Sequence, residues 1–165
     1  HPAVTRQILG SIHFPRNLKN VTEIASTHHE KVNGKGYPDG LRANEIPIGG
    51  RMLALADVFD ALTSRRQYRD REDIGKVWNI ITSESGESFD PKVIQKFTKI
   101  PLNRIVEILE FDQKEHLDHN ELLTLSHSNF GEIIKLKQSE NPKLTPKQQK
   151  ILKLFDKYYQ REYLN

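Results

Sequence analysis

Apolar residues recur every three or four positions along most of the chain, and this spacing predicts α-helices. The first such segment begins at Pro2, and it carries Val4 and Ile8 one turn apart. Proline suits the first turn of a helix, because its missing N–H has no partner there in any case. No stretch shows a convincing alternation of apolar and polar residues. The pattern therefore predicts an all-α protein.

A second amphipathic segment follows from about Leu18, with Val21 and Ile24 on one stripe. His28 lies four residues after Ile24, so on a continuous helix its imidazole points inward. His29 lies on the adjacent edge of that face, since neighbouring side chains differ by about 100° around a helix. We therefore expect the two histidines to bind different metal ions or opposite sides of one cluster.

Residues 33–40 are dense in turn signals and predict a loop. A third helix is expected from Gly49 and Gly50 to about Ser64. Its predicted buried stripe consists of apolar side chains: Met52, Leu53, Ala56, Phe59 and Leu62. Asp57 lies among them, and a carboxylate beside an apolar stripe needs a partner such as a metal ion or an arginine.

Further helices are predicted along the rest of the chain. Asp70 is expected to cap one helix, and Asp90 with Pro91 to begin another. The pattern weakens over 112–129, where His116 and His119 are expected to face solvent. Residues 138–144 indicate a linker. A capping box of Thr145 and Gln148 then opens the closing helix, whose tyrosines we expect in the core or a dimer contact.

Composition limits the function. The chain has 165 residues, 36% hydrophobic and 28% charged, and it contains no cysteine, which excludes a thiolate metal site. No apolar run approaches the length of a membrane span. The net charge is +3, and the excess lies after Gly131, where eight Lys or Arg face four Asp or Glu. Such a lysine-studded helix is typical of a solvated face, so no nucleic-acid role is expected.

The chemistry is concentrated between His28 and Arg69. Imidazoles and a carboxylate suit iron, manganese or zinc, and the planar forks of Arg66 and Arg69 suit phosphate. The simpler interpretations stay open: paired histidines are often structural, and arginines at a helix end favour its dipole. Together, metal ligands and phosphate binders predict phosphoester hydrolysis.

These motifs resemble a known family. HHEKVNGKGYPDGL, EIPIGGRMLALADVFDALTSRRQYR and ESGESFDPKVIQKF occur in the order and spacing of the HD-GYP domain, a subgroup of the HD superfamily of metal-dependent phosphohydrolases. His1-Pro2 matches the family's His-Pro position. The resemblance implies a helical bundle of the HD type over residues 1–100, followed by a helical extension over 101–165.

The resemblance also implies an activity, the hydrolysis of cyclic di-GMP to pGpG and/or GMP through a metal-bridging hydroxide. It implies a binuclear or trinuclear centre, with iron first and manganese second. The implied site residues fall into three groups: the metal ligands His1, His28, His29 and Asp57, the phosphate-binding Arg66 and Arg69, and the substrate loop of Gly36, Tyr37 and Pro38.

The family's His-Asp pair and its lysine lie upstream of the His-Pro position. We therefore interpret the chain as the C-terminal part of a longer polypeptide and assign no catalytic residue within it. We expect a cytoplasmic protein, and the resemblance adds a homodimer partner, an upstream sensory domain or a GGDEF-type partner as further expectations. Two alternatives stay open: a hydrolase for a hybrid cyclic dinucleotide, and a degenerate module that binds cyclic di-GMP or a partner protein without turnover.

Overall fold

The computed structural model describes residues 1–64, 70–140 and 142–160, and these ranges contain helices and no β-strand. The α-helices, in chain order, are α1 (Pro2–Gly10), α2 (Val21–Ser26), α3 (Ile48–Thr63), α4 (Ile74–Ser83), α5 (Pro91–Phe97), α6 (Leu102–Leu109), α7 (His119–Leu125), α8 (Phe130–Gln138) and α9 (Pro146–Tyr159). Short 3-10 helices occupy Arg16–Leu18, Ala43–Glu45 and Phe111–His116. The all-α prediction is confirmed. None of the described helices combines the length and apolar character that crossing a membrane requires.

The chain forms two compact units. The first contains His1–Ala61 and Asn79–Ile94, and the second contains Leu62–Trp78 and Gln95–Asn165. Helices α3 and α4 therefore each contribute residues to both units. The candidate site lies in the first unit.

The core of the first unit is built from Ile46, Leu55, Phe59, Ile81 and Phe89, each at most 7% exposed. Helix α3 packs closely on the end of α2, because a side chain at Gly50 would lie 2.3 Å from the Thr27 hydroxyl oxygen. This close approach requires glycine at position 50. The close approach of Gly50 to Thr27 places the segment that follows α2 against α3, and the candidate site lies in this segment.

The predicted buried stripe of α3 is wrong in part. Phe59 is buried, but Met52 is 57% exposed and Leu53 is 39% exposed. Ala54 and Leu55 are buried in their place. Since α3 carries apolar residues on nearly every side, its sequence does not single out one face, and the packing of Gly50 on Thr27 decides which face turns inward.

Helix α2 is also shorter than predicted. It ends at Ser26 rather than continuing to His28. The hydroxyls of Ser26 and Thr27 both donate hydrogen bonds to the Glu23 carbonyl, at 3.2 and 2.9 Å. Side-chain hydroxyls that bond the last carbonyls compete with continuation of the helix. His28 and His29 therefore follow the helix instead of belonging to it.

The second unit has a core of large side chains contributed by α4, α6, α8 and α9: Ile74, Val77, Leu102, Ile105, Phe130, Ile133, Phe155 and Tyr158. The rings of Trp78 and Phe97 lie edge-on to Phe130 at 5.4 and 5.3 Å. The tyrosines of α9 are buried here, as the core interpretation predicted.

Arg71, which precedes α4, makes hydrogen bonds to the ends of α6 and α9 in the second unit. Its guanidinium donates to the carbonyls of Leu109, Tyr158 and Tyr159 and to the Glu110 carboxylate, all within 3.1 Å. The side chains of Arg71 and Glu110 are only 7% and 1% exposed. The sequence pattern did not reveal this buried ion pair.

Several helix ends follow local sequence signals. The capping box of Thr145 and Gln148 is present, and Asp90 accepts a hydrogen bond from the Lys92 amide at 2.8 Å. The predicted cap at Asp70 is wrong: the Asp73 carboxylate accepts from the Lys76 amide at the start of α4.

Helices α7 and α8 were not predicted. They begin after Asp118 and Asn129, whose side chains accept from the Glu121 and Glu132 amides. The spacing of an acceptor three residues before a glutamate is a known start signal and would have located both helices. His116 and His119 are exposed, as expected.

Candidate metal centre

Three histidines from two separate segments meet at one point in the first unit. His1 immediately precedes α1, whereas His28 and His29 follow α2. The His1 Nε2 atom lies 3.1 Å from the Nε2 atoms of both His28 and His29. One ligand atom from each ring falls within 4.8 Å of the other two. His1 is exposed, and the other two are half-buried.

The spacing of these nitrogens fits a shared metal ion. Two nitrogens that bind one ion at about 2.1 Å lie about 3.0–3.4 Å apart when the two bonds meet at a right or a tetrahedral angle. The two separations of 3.1 Å lie within that range. Three imidazoles also form a donor set that iron, manganese and zinc accept.

The tautomer of His28 is fixed by the backbone. Its Nδ1 atom lies 2.7 Å from the Ala25 carbonyl oxygen, which can only accept a hydrogen bond. The Nδ1 atom must therefore carry the proton and donate it. The Nε2 lone pair of the neutral ring is then directed at the cluster. A second hydrogen bond of this kind orients most metal-binding histidines.

The surroundings of His29 lower its pKa, which favours the neutral form that metal binding requires. Burial is the main cause that lowers the pKa of His29, and the neighbouring His28 lowers this pKa further. A nearby negative charge at Asp57 acts in the opposite direction. Since a ligand imidazole must be unprotonated, a low pKa favours metal binding near neutral pH.

Asp57 lies on α3 and is exposed. It lines a cavity of about 280 Å³ that His28 and His29 also line. Its carboxylate is not among the three groups that converge within 4.8 Å. Its role as a ligand stays a prediction.

The predicted substrate loop packs directly on His29. The Tyr37 ring stacks on the His29 ring with centroids 5.0 Å apart, and the Tyr37 amide donates to the His29 carbonyl at 3.2 Å. The Tyr37–Pro38 peptide bond is cis, and both side chains are exposed. A side chain at Gly36 would lie 2.3 Å from the Lys31 backbone nitrogen, so only glycine allows the loop to close this tightly.

Glu30 is a residue of this site that sequence reasoning missed. It is 3% exposed, and its carboxylate accepts hydrogen bonds from the amides of Asp39, Gly40 and Leu41 at 2.6, 3.2 and 3.0 Å. The loop is therefore anchored to the residue that follows the histidine pair. The acidic residue directly after two histidines was visible in the sequence, but its partners nine to eleven residues later were not.

Arg66 and Arg69, the predicted phosphate-binding residues, lie outside the described residues. Their role stays a prediction, and so does the substrate role of Gly36, Tyr37 and Pro38.

The part of the chain that carries the three histidines matches a known family. Residues 1–93 match the family model described as the HD domain. A cyclic di-GMP phosphodiesterase of Thermotoga maritima is 38% identical over 73% of this chain and 32% of its own length. A cyclic di-GMP phosphodiesterase of Vibrio cholerae is 44% identical over 59% of this chain and 19% of its own length.

A second Vibrio cholerae protein, a 3'3'-cGAMP-specific phosphodiesterase, is 42% identical over 48% of this chain and 15% of its own length. The chain thus spans about a third or less of the length of these three relatives. The family match covers more than half of the chain and includes the three converging histidines. The chain therefore belongs to the HD domain family, and its motifs are those of the HD-GYP subgroup.

Proposed function

We propose that this chain carries part of the active site of a phosphodiesterase that hydrolyses cyclic di-GMP to pGpG and/or GMP. The convergence of the His1, His28 and His29 nitrogens in a chain of this family carries the proposal. The names of the Thermotoga maritima and Vibrio cholerae relatives as cyclic di-GMP phosphodiesterases support the substrate.

In this proposal the three histidines hold the metal, and Asp57 supplies a carboxylate to the same cavity. Bound metal ions supply a nucleophile from water near neutral pH and neutralise phosphoryl oxygens. Iron is the proposed ion, with manganese second. Arg66 and Arg69 bind the phosphates, and the exposed Tyr37 ring borders the substrate.

The test measures metal content and cyclic di-GMP turnover together, in anaerobically purified protein. We expect His29→Ala to lose both metal and turnover, while His13→Ala, which removes an exposed histidine of the same unit, retains both. Arg66→Ala is expected to lose substrate binding or turnover but to keep its metal. Full metal and activity in His29→Ala would contradict the proposed site.

A second substrate is favoured by one observation, the similarity to the 3'3'-cGAMP-specific relative of Vibrio cholerae. Both substrates are cyclic dinucleotides with two phosphodiesters, so the same metal and arginine chemistry serves either. The ratio of kcat/KM for cyclic di-GMP to that for 3'3'-cGAMP separates the two. We expect this ratio to exceed one, and a ratio below one would assign the hybrid dinucleotide instead.

The degenerate binding module has less support than turnover, since the relatives above carry the names of enzymes. A cytoplasmic location, a homodimer, an upstream sensory domain and a GGDEF-type partner stay predictions.

A further inference from the structure

Arg6 of α1 makes a two-pronged contact with Asp39 of the loop beside the histidines. Its Nη1 atom donates to Asp39 Oδ1 at 3.0 Å, and its Nη2 atom donates to Asp39 Oδ2. Its Nε atom donates to the Ser26 hydroxyl at 3.2 Å. The hydrogen bond with Arg6 lowers the pKa of Asp39, and the same bond raises the pKa of Arg6. Both side chains stay charged as a pair.

This contact joins the two segments that contribute the histidines. His1 immediately precedes α1, five residues before Arg6. Asp39 belongs to the loop that Glu30 holds through three amides and that Tyr37 attaches to His29. A short series of contacts therefore runs from His29 and Glu30 through the loop to Arg6, and along one helix to His1.

Helix α1 lies close along α2, but few of its side chains are buried. Pro2 is its one buried residue. Val4 and Ile8 are 56% and 58% exposed and Leu9 is half-buried, so the apolar side chains of α1 do not fix its orientation by themselves. A bidentate arginine–carboxylate pair restrains both distance and orientation. The polar contact is therefore well placed to set the position of His1 relative to the other two rings.

We propose that Arg6 and Asp39 are positioning residues that align His1 with His28 and His29 for metal binding. The inference rests on the proposed metal site and deepens it. Neither Arg6 nor Asp39 belongs to the set of converging ligand groups. They act through α1 and through the loop.

An exposed ion pair contributes little to global stability. Loss of this pair is therefore expected to leave the melting temperature nearly unchanged while it weakens the metal site. That combination separates a positioning role from a merely structural one, in which stability and metal binding fall together.

The experiment measures Co²⁺ affinity by chelator competition, together with the visible spectrum of bound Co²⁺ and the melting temperature of the metal-free protein. Arg6→Ala and Asp39→Ala are each expected to lower the affinity about tenfold, the loss that outer partners of metal ligands commonly cause, and to change the spectrum. The double variant is expected to lose no more than Arg6→Ala alone, since both changes break one contact.

Arg6→Lys keeps the charge but not the two-pronged geometry, so an affinity between that of the wild type and that of Arg6→Ala is expected. Arg104→Ala is the matched control, because it breaks the exposed pair with Glu107 on α6. It is expected to bind Co²⁺ like the wild type. Wild-type Co²⁺ affinity in both single variants would overturn this inference but not the proposed metal site. Losses of Co²⁺ affinity that add in the double variant would have the same consequence. Absence of Co²⁺ binding in the wild type would overturn the proposed metal site as well.

Discussion

Glu30 shows how one side chain organises the loop beside the site. Its two carboxylate oxygens accept from three consecutive backbone amides, and it is almost completely buried. A buried amide without a partner costs free energy comparable to a lost hydrogen bond. The carboxylate, itself 3% exposed, therefore supplies the hydrogen-bond acceptors for three amides of the loop backbone.

Glu30→Gln tests this role directly. One glutamine oxygen becomes an NH₂ donor, so at least one of the Asp39, Gly40 and Leu41 amides loses its acceptor. We expect the free energy of unfolding to fall by about 1–3 kcal/mol, measured by urea denaturation of the metal-free protein. Glu23→Gln, at an exposed position of the first unit, serves as control. Equal stability of both variants and the wild type would exclude the proposed role of Glu30.

For His28, the amino-acid sequence predicted the role as a candidate ligand but not the orientation of the ring. The identity of the residue as a candidate ligand followed from its motif. Its orientation did not, because the predicted continuation of α2 placed the two rings on different edges of a helix. The hydroxyls of Ser26 and Thr27 end α2 early, and the Ala25 carbonyl then orients the His28 ring.

At the scale of elements, the helix ends are decided by local chemistry and the helix faces by distant contacts. The capping box of Thr145 and Gln148 lies within one turn, so the sequence alone predicted the start of α9. The buried face of α3 depends on Gly50 and Thr27, which are far apart in sequence. The start of α9 was therefore predicted correctly from the sequence, whereas the buried face of α3 was not.

Arg71 holds the ends of α6 and α9 through buried contacts, and this makes a stability prediction. Arg71→Met leaves the Glu110 carboxylate buried without its partner and frees the carbonyls of Leu109, Tyr158 and Tyr159. We expect a loss of about 3–5 kcal/mol in the free energy of unfolding. Thermal or chemical denaturation measures it.

The double variant Arg71→Met/Glu110→Met removes both charges. It is expected to recover part of this loss, because no carboxylate is then buried alone. The recovery is incomplete, since the three carbonyls stay without their donor. Arg104→Ala breaks an exposed pair and should barely change stability. An Arg71→Met variant as stable as Arg104→Ala would show that the buried pair contributes nothing.

At the scale of the whole molecule, the proposed metal site couples binding to folding. The three histidines converge only in the folded chain, so metal should bind the folded state in preference to the unfolded state. A ligand present at about 100 times its dissociation constant adds about 2.7 kcal/mol to the stability of the state that it binds. Addition of Mn²⁺ or Fe²⁺ should therefore raise the melting temperature, and a chelator should reverse the increase.

The same metal titration on two variants shows whether the three histidines cause the increase in melting temperature. His29→Ala is expected to lose the metal-dependent increase, whereas His13→Ala keeps it. An equal increase in His29→Ala and the wild type would place the stabilising ion elsewhere. The measurement uses the melting temperature alone, so it is independent of any substrate.

The sequence by itself determined the helical class, the capping signals at Asp90 and Thr145, and the order of motifs that identifies the family. The helical class and the capping signals depend on residue types within a turn or two of one another, where spacing fixes geometry, and the order of motifs is read directly from the chain. The tertiary structure decided which face of α3 is buried. It also decided that His1 meets a pair that begins 27 residues later, and that Glu30 and Arg6 hold the loop that follows this pair. Each of these depends on the packing of distant segments, because a side chain's partner across a fold is set by how helices approach and not by its own neighbours in the chain.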